Sequence, residues 1–374
     1  MRAAITGIGL VGHWGHEYAD FINLLKEPKE LNKPAFIPEL DFFSIVGTKN
    51  KRTKKMERLS RIVSIAAKGA MNDASLEKGA VAAGRGAVVT GSSFGALDSI
   101  LTFHRQLETD GPSSVNPNVF PPTSHNVAGG HLSIEFGFSG PLIHFASGSL
   151  SAEQAILYAS DLIETGRADV IITGGWDILC NDLISDFSLP ESIDCKPLSP
   201  NSKGMLPAEG AAILVIESEE HAQNRGAKVR AYLEGGSIWT NEHFANSKEA
   251  LAQLALTARD CDLLCSAANG LPEKDEREVS WLRKLFLSDE SEAPTIMASR
   301  SFIGETFGAG GAFDVATAIA LFEEPKQGFI VPSPSVPGAG YFAPGKEEYS
   351  RALLSNLTQD DEASLLVISH PTAV

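Results

Sequence analysis

A chain of 374 residues is too long for one small domain, and its 43% hydrophobic and 21% charged residues supply enough apolar material to offset the ordering entropy of folding. Its 31 Lys+Arg against 47 Asp+Glu leave a net charge of −16, which opposes both the phosphate neutralisation of nucleic-acid binding and attraction to an anionic membrane surface. No run approaches the ~18 apolar residues of a membrane-spanning helix, and Met1–Gly7 lacks the apolar stretch of a signal peptide. The expectation is a cytoplasmic protein with neither nucleic acid nor membrane as partner.

In chain order, Ala3–Ile5 reads as a strand before a helix over Glu17–Lys26, and Ala87–Thr90 as a strand before a helix over Ala96–Leu107. Ser151–Thr165 reads as a helix before the strand Val170–Thr173, with further strands at Ala211–Glu217 and Leu365–Ile368. Such alternation points to an α/β fold with covered sheets. Gly and Pro cluster at Asn116–Pro122 and Pro325–Pro344, both read as ordered loops. Strand, small-residue turn and amphipathic helix recur around His144–Ile156 and Thr295–Phe322, which points to two related halves dividing near Leu233. Cys180, Cys195, Cys261 and Cys265 form no Cys-x-x-Cys pair, so a metal site is not expected, and Cys261 and Cys265 read as small buried hydrophobes.

Two motifs invite functional readings. Gly7-Ile8-Gly9-Leu10-Val11-Gly12 matches the G-x-G-x-x-G of dinucleotide sites, but the second strand ending in an acid is missing from the Pro- and Lys-broken stretch Lys26–Pro38. Gly91-Ser92-Ser93-Phe94-Gly95 fits the G-x-S-x-G of a hydrolase elbow at Ser93. Past His144, however, the histidines available as a base are His221, in a charged segment, His243, and His370 near the end. A strand-to-helix turn that simply needs glycine explains the same residues.

The segment Gly129-Gly130-His131 through Gly140-Pro141, then Ser147-Gly148-Ser149 and Gly174-Gly175, resembles the β-ketoacyl synthase family. The resemblance continues through Pro207-Ala208-Glu209-Gly210-Ala211 and Arg225-Gly226-Ala227, includes the opening Ile5-Thr6-Gly7-Ile8-Gly9, and spans nearly the whole chain. It implies an α/β thiolase-like fold: two related βαβαβαββ halves, 1–233 and 234–374, in a five-layer α-β-α-β-α arrangement. No cofactor is implied.

At the catalytic positions the chain departs from the family. The nucleophilic cysteine falls on Ser149 when Gly140-Pro141 is aligned. A free thiol is already about 3% thiolate at neutral pH, whereas an alcohol needs a base to take its proton. Of the family's two histidines, the first falls on Asn269 or Ala268 and the second on Glu305, and no histidine occurs from Phe244 to Ser369. Those histidines stabilise a developing enolate by donating hydrogen bonds. An ionised carboxylate cannot donate, and a like charge ~4 Å away at an effective dielectric of about 20 opposes by roughly 4 kcal/mol. Arg300, at the position of the family's lysine, is expected to form a buried ion pair with Glu305, leaving the old cavity filled and inert. The family's glycine-rich gating loop is replaced by Leu354–Ser364, which carries acids and no glycine.

Ala268–Glu273 with Asp275 and Glu278, and Gly310–Ala318, look most like the chain length factor subunits of type II polyketide synthases, including the aryl-polyene type. The resemblance implies a catalytically inactive subunit that pairs with an active ketosynthase as a heterodimer and shapes its acyl-chain tunnel. Phe103, Leu107, Phe120, Phe136 and Phe138 are the candidate wall residues, each of which also reads as plain core. An acidic acyl carrier protein would be met mainly by the partner, although Lys49–Lys55 forms a local basic patch. The alternative is an acyltransferase or hydrolase that uses Ser149 on acyl-carrier thioesters.

Overall fold

The computed structural model describes residues 1–187, 189, 193–286, 294–325 and 348–373. Ten strands form the sheet: β1 (Ala3–Val11), β2 (Gly86–Gly91), β3 (Leu142–Phe145), β4 (Val170–Asp177), β5 (Gly210–Ser218), β6 (Ala231–Thr240), β7 (Leu263–Ser266), β8 (Thr295–Met297), β9 (Arg351–Leu357) and β10 (Glu362–Ser369). Eight helices carry the layers: α1 (Tyr18–Lys26), α2 (Arg58–Asp73), α3 (Leu97–Asp110), α4 (Val127–Phe136), α5 (Ser151–Glu164), α6 (His243–Gln253), α7 (Pro272–Phe286) and α8 (Gly310–Glu323). Every element expected from the alternation of patterns is present. Asn116–Pro122 folds into short 3-10 turns, whereas nearly all of Pro325–Pro344 lies outside the described residues.

The strand order β3-β2-β4-β5-β1-β6-β10-β9-β7-β8 contains the duplication. Outward from β1 come β5, β4, β2 and β3, with antiparallel, antiparallel, parallel and parallel pairings. Outward from β6 come β10, β9, β7 and β8 with the same sequence of senses. The two fives meet only where Ala3, Ala4 and Ile5 pair with Leu233, Tyr232 and Ala231.

Side-chain alternation then builds the thiolase-like layers. Ile171 joins the cluster around α5 and α8, while Val170 and Ile172 join the one under α2 and α4. In the second sheet Leu366 and Ile368 face α5 and α8, while Leu365 and Val367 face α6 and α7. Cys261 and Cys265 are buried, and burial pushes both thiols up. The glycines of the G-x-G-x-x-G motif serve close packing: a Cβ on Gly7 would lie 2.2 Å from the Ala70 carbonyl oxygen, and one on Gly9 1.9 Å from that of Ala66. They let β1 lie against the backbone of α2.

Gly9→Ala should therefore lower unfolding free energy by about 3 kcal/mol or leave no soluble protein. Gly130→Ala, in open space on α4, should be neutral or stabilise by up to about 1 kcal/mol. Denaturant midpoints of the two variants check the contrast.

Candidate functional site

The turn ahead of α5 is fixed by its own serines. Gly148 takes φ +58°, and Ser151 Oγ donates to the Gly148 carbonyl at 2.7 Å while accepting from Ser147 N at 2.9 Å. Asn356 Nδ2, from β9, reaches across to the Ser149 carbonyl at 3.2 Å and to Glu153 Oε1 at 2.7 Å. Ser149 is held half-buried on this turn, at the wall of a cavity of ≈ 450 Å³.

Asn269 and Glu305 line the same cavity, so the three positions singled out in the sequence converge. Glu305 is buried and accepts at both oxygens: Asn269 Nδ2 donates to Oε2 at 2.7 Å and Phe307 N to Oε1 at 2.8 Å. Asp275 in turn holds the Asn269 loop, accepting from Asn269 N at 3.1 Å, Gly270 N at 2.9 Å and Leu198 N at 2.8 Å. Among the described residues that line the cavity, none is a histidine.

Two expectations are corrected here. Arg300 pairs with Asp314, not Glu305: Nη1 and Nη2 meet the two carboxylate oxygens at 2.9 and 2.7 Å. Asp314 on the first turns of α8 offers both oxygens to the guanidinium fork, whereas those of Glu305 are already taken. The cavity is also open instead of filled: neither Arg300 nor Asp314 lines it, and Asn269 bonds to Glu305 at its wall.

Several lining residues had no sequence signal. Phe307 adopts φ +49°, rare for a non-glycine residue, and its ring sits 4.8 Å from Phe94 and 5.5 Å from Phe187, the latter stacked. Lys274 is 5% exposed, and its Nζ donates to the Ala267 carbonyl at 2.5 Å. Its place on the inward face of α7 was readable only from helix phase. Ser93 of the G-x-S-x-G motif also lines the cavity, yet its Oγ has no partner among the described residues. The nearby histidine serves Ser92 instead: His144 Nε2 lies 2.9 Å from Ser92 Oγ, and burial lowers its pKa to about 4. The hydrolase arrangement at Ser93 is not assembled.

The candidate wall residues separate into two groups, and none lines the cavity. Phe136 and Phe138 are core of the outer layer, packed with α2. Phe103 and Phe120 meet each other at 5.6 Å on a face where Phe120 is 62% exposed, and Leu107 is half-buried on the same helix as Phe103.

Asp314→Asn should destabilise by about 3–5 kcal/mol because it leaves a buried guanidinium uncompensated, and Arg300→Met combined with Asp314→Leu should recover most of that loss in chemical denaturation. A second expectation concerns pH. Burial pushes Glu153 up to about 7 from its ordinary 4.5, so the folded state keeps a proton that the unfolded chain releases. That contribution is full below pH 4.5, declines as pH rises toward 7 and is level above it. Glu153→Gln should match the parent near pH 4 and exceed it at pH 8 by on the order of 3 kcal/mol, measured as unfolding free energy against pH.

Among the described residues no helix is long and apolar enough to cross a membrane, and no group of three or more His, Cys, Asp or Glu is arranged to hold a metal. The sequence models of the β-ketoacyl synthase N-terminal and C-terminal domains match residues 24–222 and 240–336. Nodulation protein E of Rhizobium leguminosarum bv. trifolii is 27% identical over 350 residues, covering 86% of each chain. The 3-oxoacyl-[acyl-carrier-protein] synthase 2 of Staphylococcus aureus (strain MRSA252) is 26% identical over 359 residues, 87% of this chain and 86% of that one. Among solved structures, the ishigamide ketosynthase/chain length factor aligns with TM-score 0.87 at 18% identity, and a β-ketoacyl synthase from Burkholderia phymatum STM815 with TM-score 0.85 at 21% identity. Each of these two covers 99% of both chains.

Proposed function

We propose that this chain, which belongs to the β-ketoacyl synthase family, is a catalytically inactive chain length factor that forms a heterodimer with an active ketosynthase in polyketide or fatty-acid-like biosynthesis. The observation that carries the reading is the mutual satisfaction of Asn269 and Glu305. Where the family resemblance expects two hydrogen-bond donors to an enolate, the carboxylate accepts and the amide nitrogen is directed at that carboxylate and at Met205 Sδ, 3.9 Å away. Ser149 faces a cavity without a histidine to take its proton.

The first half supplies a face for a partner. Among the described residues β3 is an edge of the sheet with only β2 beside it; its Leu142 is 39% exposed, and Ile134, on the helix packed against it, is 60% exposed. Unpaired strand edges flanked by apolar side chains are templates for another chain. Phe103, Leu107 and Phe120, two of which meet at 5.6 Å on an exposed face, are the residues offered as walls of a partner's tunnel, while Phe136 and Phe138 lie in the core. A solved relative in fold is titled as a ketosynthase/chain length factor, and another as a type II ketosynthase complex with an acyl-carrier protein. With a net charge of −16 this subunit is a poor surface for an acidic carrier, so the carrier docks mainly on the ketosynthase.

Co-expression with a ketosynthase encoded beside it, followed by chromatography with light scattering, should give a one-to-one complex, and a chain that stays monomeric with every such ketosynthase overturns the proposal. In that complex Phe120→Ala should shift products toward longer chains, since each methylene newly housed gains about 0.8 kcal/mol. The open cavity at Ser149 favours a second reading, acyl transfer through Ser149. Incubation with acyl-carrier thioesters should leave the mass of the chain unchanged; an added acyl mass that vanishes in Ser149→Ala would support the second reading instead.

A further inference from the structure

The side-chain amide of Asn269 is held in one orientation. Its Oδ1 accepts from Leu271 N at 3.3 Å, and its Nδ2 donates to Glu305 Oε2 at 2.7 Å. A primary amide carries a second N–H, and here it faces Met205 Sδ at 3.9 Å. A thioether sulfur is a weak acceptor. Asn269, only 5% exposed, therefore keeps one donor with no oxygen to receive it among the described residues.

The sulfur on the other side of that contact can be reached from outside. Met205 is half-buried and lines the ≈ 450 Å³ cavity, where it packs with Phe94 and Phe187 against Phe307 and Leu183. The other internal methionines, Met56, Met71 and Met297, are buried in the core. Met205 thus joins an accessible thioether to a buried donor aimed at it.

Oxidation supplies the missing acceptor. The sulfur lone pair attacks the terminal oxygen of a hydroperoxide, and the S–O bond forms as the O–O bond breaks. The transferred oxygen gives its proton to the departing one, which leaves as water or an alcohol; the thioether has lost two electrons to the peroxide. An oxygen set on the amide side of the sulfur lies within hydrogen-bond reach of Nδ2, because the new bond takes up much of the 3.9 Å gap. Asn269 aims its donor where negative charge develops on that oxygen. The sulfur's other lone pair has no such donor, so one of the two sulfoxide configurations is favoured.

We propose that Met205 is a peroxide-sensitive modification site whose sulfoxide forms in a single configuration and is held by Asn269 Nδ2. The change sets a polar oxygen into the apolar wall shared with Phe94, Phe187 and Phe307. It is reversible, since each of the two stereospecific sulfoxide reductases returns one epimer to the thioether. The site works the same way whether Ser149 is inert or transfers acyl groups.

The test treats the full folded chain with hydrogen peroxide and follows each methionine by peptide mass spectrometry. Met205 should oxidise about tenfold or more faster than Met56, Met71 and Met297. After digestion, one stereospecific reductase should return the Met205 peptide to its parent mass and the other should leave it oxidised. The Asn269 side-chain amide resonance should move downfield in the oxidised chain. Asn269→Leu, which removes the donor, should give both epimers in near-equal amounts; Asn269→Ala serves if the leucine variant does not fold. Met205 oxidising no faster than the buried three, mixed epimers in the parent chain, an unmoved Asn269 resonance, or a single epimer in a folded Asn269 variant would each overturn the proposal.

Discussion

Helices α5 and α8 are buried between the two five-stranded halves of the sheet, each a sheet in its own layer, and this packing governs the rest of the molecule. α8 buries every residue from Gly310 to Phe322, so it has no face to give to solvent. Such a helix is stable only when apolar surface surrounds it, and one five-stranded sheet covers a single side. The second sheet is therefore as necessary as the first. Because the halves share one topology, the turns ahead of the two helices, at Gly148–Leu150 and Phe307–Ala309, come together. The Ser149 cavity lies where they meet.

Charge in the interior is organised around the same junction. Arg300 is 1% exposed and takes both oxygens of Asp314, which holds the Arg300–Ile303 turn against α8. Asp177 is buried and accepts from the backbone of Ser93, Phe94 and Gly308, each at 2.8 Å, joining the β2 turn to the turn before α8. Desolvation raises its pKa to about 7 despite three donors. These groups fix the turns around the cavity by hydrogen bonding.

The fold was legible because its signals are local and repetitive. Continuous apolar runs at Val170–Ile172 and Leu365–Ile368 mark strands covered on both faces, and the recurrence around His144–Ile156 and Thr295–Phe322 marks the duplication. The convergence of Ser149, Asn269 and Glu305 was legible only through the family resemblance, which sets the three positions at one site. Pairing was not. Arg300 lies five residues from Glu305 and fourteen from Asp314, and only the depth of α8 decides between them. Phe136 and Phe138 carry the same composition signal as Phe103 and Phe120, but α2 covers the first two and leaves the others outward. Phe94, Phe187 and Phe307 meet from three separate loops, and no spacing in the chain announces that.

The Asn269–Glu305 hydrogen bond also couples two distant stretches of the chain. Truncating either side chain alone would strand the other in a buried wall without its partner, and such an orphaned polar group costs about 1–3 kcal/mol. The pair, and not either residue by itself, is therefore the unit on which selection for stability acts.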